Sequence, residues 1–182
     1  MRALAGIVFF LTAVAESFAL GAYWPGDTGM VLGLMAMLAL SFVAVLVHEL
    51  GHAGAVWALG GRVRRIVALP LSLQLRPRKW SMIWQPRGGD LGGYVTFELN
   101  TIDRHRKHAL IAFAGPAANF ALSAALGLAA SRLHPVSLIC ALTTALAIMS
   151  AGMGLANLIP FKGSDGEALI RAARLGRERR AG

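Results

Sequence analysis

The chain has 182 residues, of which 56% are hydrophobic and only 15% charged, against about a quarter charged in an ordinary soluble domain. That length needs no more than one domain, and we read residues 1–182 as a single membrane-embedded unit. The net charge of +9 does not indicate nucleic-acid binding, because ten of the 18 Lys and Arg fall between Arg62 and Lys107 and six more between Lys162 and Arg180.

In chain order, an apolar stretch at about 3–24 is interrupted only by Glu16. Its apolar part is longer than the core of a secretory signal and carries an acid, so we read it as a retained span. A second span runs over about 28–58, a third over 109–131 and a fourth over 135–160, each near the roughly 20 apolar residues that cross hydrocarbon. Between the second and third lies a β-rich insert, about 62–100. There "RVRRIVALPLSLQLRP" alternates apolar and polar residues and "GGYVTFEL" is rich in β-formers, while "RPRKWSMIW" and "QPRGGD" read as turns. A basic tail, 167–182, follows the fourth span. The expected fold is a polytopic α-helical membrane protein, with about four transmembrane helices and a small membrane-surface sheet between the second and third. Trp80 and Trp84 are expected at headgroup depth. Cytoplasmic loops collect Lys and Arg, so both basic segments, both termini and the active-site side are expected in the cytoplasm, next to anionic lipid. The lone Cys140 excludes an intrachain disulfide and a Cys-based metal site.

The second span ends in "VAVLVHELGHAGAV". Residues four apart share a helix face, so His48 and His52 can point two imidazoles at one ion. Glu49 stands beside that ion without having to ligate it, the arrangement of two zinc ligands and a general base. Ionisable groups at membrane depth are costly and default to a functional reading. Gly51 and Gly54 leave room for a neighbouring helix or for substrate. A zinc with an open position needs a third protein ligand. The fourth span ends "GLANLIPFKGSDGEAL", where Pro160 breaks the helix and Gly163 and Gly166 let the backbone turn. Asp165 then stands at the depth of the two histidines.

These residues resemble the site-2-protease family of intramembrane zinc metalloproteases. His48-Glu49-Leu50-Gly51-His52 matches its metal and base motif. Gly115-Pro116-Ala117-Ala118-Asn119 matches its Gly-Pro-x-x-Asn element. Asn157-Leu158-Ile159-Pro160 with Asp165-Gly166 matches its Asn-x-x-Pro and Asp-Gly element. The resemblance covers about Met30 to Ile170. It implies one Zn2+ per chain held by His48, His52 and Asp165, Glu49 activating water, and Asn157 helping to hold substrate or oxyanion. The implied substrate is a transmembrane protein or peptide, cut within or next to its span. Ser164 departs from the large apolar residue usual before Asp-Gly. The insert is too short for a peptide-binding domain, and the tail too short for a nucleotide-binding one.

Glu16 reads either as pairing inside the bundle or as tuning entry to the site. Asn119 reads either as a helix-to-helix hydrogen bond or as a catalytic contact. His105 and His108, in "DRHRKH", read as solvated surface residues, and His134 lies on the far side. Two rivals stand beside the protease. One is a metalloprotease of another class using Glu98 or Glu167 as third ligand. The other is a catalytically silent scaffold or chaperone of the same fold, which should have lost a ligand or the base.

Overall fold

The computed structural model of the chain describes residues 1–21, 23, 27–83, 92–99 and 104–181. Trp84, and the turn expected at 85–90, lie outside the described residues. Five helices and four strands follow in the order α1 (Arg2–Gly21), α2 (Asp27–Ala58), β1 (Arg62–Ala68), β2 (Leu71–Leu75), β3 (Arg78–Met82), β4 (Gly93–Glu98), α3 (Arg104–Ala130), α4 (Leu138–Leu158) and α5 (Asp165–Ala181).

The first four helices are long and apolar enough to cross a membrane. Large apolar side chains on α1 and α2, among them Phe10, Phe18, Met30, Leu34 and Leu38, face outward, as lipid-facing surface does. With 32 residues α2 is about 48 Å long, well beyond the ~30 Å of a hydrocarbon core. The extra length accounts for His48 and His52 at its far end: a span starting near Gly29 is nearly exhausted at residue 48.

Small residues set the helix crossings. A Cβ on Gly51 would stand 2.6 Å from the Ala114 carbonyl oxygen and 2.8 Å from the Ala118 Cβ, so α2 and α3 cross where neither has bulk. Gly152 of α4 likewise receives the Thr12 side chain of α1. Glu16, one turn beyond Thr12, is fully buried, and among the described residues neither of its carboxylate oxygens has a hydrogen-bond partner. Of the two expectations for Glu16, an intrabundle partner is not found among the described residues.

The strands form one antiparallel sheet in the order β3-β2-β1-β4. The segment expected as one alternating strand is two, β1 and β2, turned at Leu69 and Pro70. Arg78–Met82, expected as a turn, is the strand β3, paired with β2 from Leu75↔Arg78 to Leu71↔Met82. Residues 76 and 77 alone make the turn, leaving "RKWSM" free to extend; all five of its residues are exposed, so no alternation marked it as a strand. The sheet is fastened to the helices through Val63 and Ile66 of β1, which pack with Ala53 and Val56 of α2 and Ile111 of α3. That cluster lies one turn beyond His52 and fixes the sheet against the end of α2.

The basic tail is helical. Ser164 caps α5: its Oγ accepts from the backbone N–H of Glu167 at 3.2 Å, and Glu167 Oε2 accepts from Gly163 N–H at 2.9 Å. This side-chain exchange across the first turn resembles a capping box. Ser164 thus starts the helix whose first residue is Asp165. Gly163 supplies the turn, with φ +91°. Gly166 does not turn the chain. It is helical, and a Cβ there would strike the Leu158 carbonyl, so its smallness brings the start of α5 against the end of α4.

Candidate metal centre

The site joins one helix end to another across 117 residues. His48 and His52, on one face of α2, stand with ring centroids 4.7 Å apart and planes at 85°. His48 Nε2 lies 3.0 Å from Asp165 Oδ2, and His52 Nε2 3.4 Å from Asp165 Oδ1. Donor atoms of a tetrahedral zinc site at ~2.0–2.1 Å from the ion are about 3.3 Å from one another. A donor from each of the three residues lies within 4.8 Å of the others, so the set closes around one ion of that size.

The imidazoles are aimed from behind. His52 Nδ1 donates to the Ile111 carbonyl at 2.6 Å, so Nε2 carries the lone pair and turns to the site, as in ligating histidines. The Asn119 side-chain amide lies 3.2 Å from His48 Nδ1. When His48 ligates through Nε2, its Nδ1 is a donor, and the amide turns its oxygen to it. Asn119 is fully buried, and its backbone carbonyl accepts from Ser150 Oγ at 3.0 Å. Its contact is therefore an α2–α3 hydrogen bond to a candidate ligand. Gly115 lies against both imidazoles: a Cβ there would be 2.8 Å from His48 Nε2 and nearer still to the His52 ring. Pro116 follows, buried. With no N–H for the Ala112 carbonyl, it loosens α3 one turn from where Ile111 receives His52.

Asp165 is held by opposing effects. Burial works to raise its pKa, but the hydrogen bonds and charges of His48 and His52 outweigh it and hold the carboxyl below the usual carboxylate range. Glu49 is buried beside the triad but not in it. Its Oε1 would be 2.6 Å from a Cβ on Gly93, so the start of β4 closes over the carboxylate where any other residue would displace it.

A cavity of about 220 Å³ opens in front of these groups, lined by His48, Glu49, His52 and Asp165 and by Gly93 and Asn157. Asn157 reaches the cavity while its Nδ2 donates to the Met153 carbonyl at 3.1 Å. Glu98 pairs with Arg64, and Glu167 with Arg171 and the Gly163 N–H, so neither rival third ligand joins the site. His134 is exposed in the α3–α4 turn. His108 corrects the sequence reading: it is half-buried, lines the cavity and sits against Phe97 with ring centroids 5.6 Å apart. Spacing signalled it, since His108, Gly115 and Asn119 recur at intervals of seven and four, one face of a helix. Tyr94 also lines the cavity, and nothing in the sequence marked it.

Among known proteins, the profile of Peptidase family M50 matches residues 35–135. No curated protein and no solved structure matches.

Proposed function

Because the chain belongs to peptidase family M50, the site-2-protease family, we propose that it is an intramembrane zinc endopeptidase cutting a membrane protein within or next to a transmembrane segment. The observation that carries the reading is the convergence of His48, His52 and Asp165 on one point, with Glu49 beside them. Zinc bound by these three residues would polarise the scissile carbonyl and acidify water.

The chain's own groups supply the rest. Glu49 takes the proton from the attacking water and returns it to the leaving amine. Asn119 and the Ile111 carbonyl hold the imidazoles in the ligating tautomer. Asn157 offers its remaining amide acceptor to the substrate backbone. A helix hides its carbonyls in its own hydrogen bonds, so substrate must enter extended. Among the described residues β4 is an edge strand with one side unpaired, and it begins at Glu49. An extended peptide added to that edge would run past the catalytic base.

In this reading residues 1–182 are one domain. The basic segments put the sheet, the site and both termini on the cytoplasmic side, with Trp80 near the headgroups. Cysteine labelling tests the topology: positions 81 and 28 should report opposite faces, and labelling of both from one face would overturn it.

Glu49→Gln keeps size and removes the base. It should retain zinc and lose cleavage of single-span substrates by about 10²–10⁴-fold, whereas Asp165→Asn should lose zinc as well. A folded, zinc-loaded Glu49→Gln protein that still cuts would refute the mechanism. A wild type that cuts nothing across a panel of single-span substrates would favour the scaffold.

A further inference from the structure

The cavity changes character along its length. Around the metal centre its walls are polar, but one helical turn back toward the middle of the spans they are not. There it is lined by Val45 of α2, four residues before Glu49, and by Met153 of α4, four residues before Asn157. Met153 forms a buried apolar cluster with Ala44 and Met149, and Val45 packs against it. Four residues of helix advance about 6 Å, a distance that extended peptide covers in about two residues.

The entry to β4 follows the same direction and closes this end. A Cβ on Gly93 would meet Glu49 Oε1 at 2.6 Å, and one on the preceding Gly92 would meet Val45 Cγ2 at 3.3 Å. Gly92 also has φ +100°, a conformation in which a side chain is strained. The backbone therefore stands directly over Val45, and the apolar end is bounded by α2, α4 and Gly92. Bulk is limited there, because the whole cavity offers about 220 Å³. Charge is disfavoured as well: a charged side chain would leave water for methyl and thioether walls, and an acidic one would stand a turn from Glu49.

We infer that Val45 and Met153, closed over by Gly92, form a subsite for a compact apolar substrate side chain. That side chain, no larger than leucine, lies about one or two residues from the scissile bond, on the side that runs into the helix bundle. The subsite rests on the protease reading and adds to it what the substrate must present beside the cut. Val45 and Met153 are specificity residues and take no part in the bond-breaking step.

The test uses single-span substrates carrying Ala, Leu, Phe or Asp at each of the first three positions on either side of the cut. At one position within two residues of the cut, wild type should favour Ala and Leu over Phe and Asp about tenfold in kcat/KM, the scale on which a pocket discriminates by size. Met153→Ala and Val45→Ala enlarge the apolar end. Each should raise Phe relative to Ala about tenfold at that position and leave Asp disfavoured. Met35→Ala, on the exposed outer part of α2, should keep the wild-type ranking. Zinc content and thermal melting serve as folding controls; should Met153→Ala fail them, Val45→Ala, at a half-buried position, carries the comparison. A wild type that accepts Phe or Asp as readily as Leu at every position overturns the subsite. So does a folded Val45 or Met153 variant that slows all substrates without reranking them, or a Met35→Ala protein that reranks them too. Binding of the same peptides to Glu49→Gln protein, read by fluorescence anisotropy, separates the two readings. Ranked binding without any wild-type cleavage would sink the protease and leave the subsite standing. Cleavage without ranked binding would do the reverse.

Discussion

Replacing Gly115 by alanine adds one methyl group where the two candidate ligands meet. The new Cβ would sit 2.5 Å from His52 Cε1 and 2.8 Å from His48 Nε2, closer than carbon approaches carbon or nitrogen without a shift. Neither imidazole can yield freely, since His52 is tied to Ile111 at 2.6 Å and His48 to Asn119 at 3.2 Å. Moving α3 away would open the close Gly51–Ala114 crossing immediately beside it. Overpacking of this kind costs about 1–3 kcal/mol, and disturbing the orientation of ligating histidines lowers metal affinity about 10–100-fold. Zinc affinity measured by chelator competition in detergent should fall by that factor in Gly115→Ala. Gly127→Ala on the same helix, where nothing lies within 4 Å of the added carbon, should match wild type. Equal affinities in the two variants would refute both the packing argument and the assignment of these imidazoles as ligands.

His52→Ala should purify without the zinc found in wild type, by elemental analysis; equal zinc in both would remove His52 from the ligand set. Ser164→Ala deletes the cap of α5 and should destabilise the fold by about 1 kcal/mol in thermal or denaturant melting. It should also weaken zinc binding, because the capped helix begins at Asp165, and a change in stability alone would separate the cap from the ligand. Glu16→Leu should leave the protein at least as stable as wild type, since burying a polar group without a partner is unfavourable. A Glu16→Leu protein that melts markedly lower would show that the carboxyl is held by something other than the described residues.

The parts of the fold legible in the sequence were those written in composition and spacing. Four apolar stretches, the first interrupted by Glu16, became four long helices, and two histidines four apart met an aspartate 117 residues beyond the first of them. Other features were hidden because their signal is not local. β3 carries Arg78 and Lys79, and its strand identity comes from pairing with β2 rather than from its own alternation. Ser164 looked like a departure from a family pattern, and only the three-dimensional turn shows it as the cap that starts α5. His108 sat in a run of charges that reads as solvated, although its register with Gly115 and Asn119 put it on the inward face of α3. Gly93 could not be identified at all, because its smallness matters only where β4 meets Glu49.

The interval between His52 and Asp165 also orders events during synthesis. α2 emerges from the ribosome with two imidazoles and a base, and α3 brings the groups that aim them. Asp165 is made only after α4 has been completed and inserted. A nascent chain therefore carries an incomplete ligand set throughout the period when its own apolar segments are unpacked and exposed as potential substrate. If the chain is the protease proposed above, hydrolysis would have to wait for α5 to bring Asp165 to the two imidazoles, so the order of synthesis would keep an unfinished chain from cutting itself.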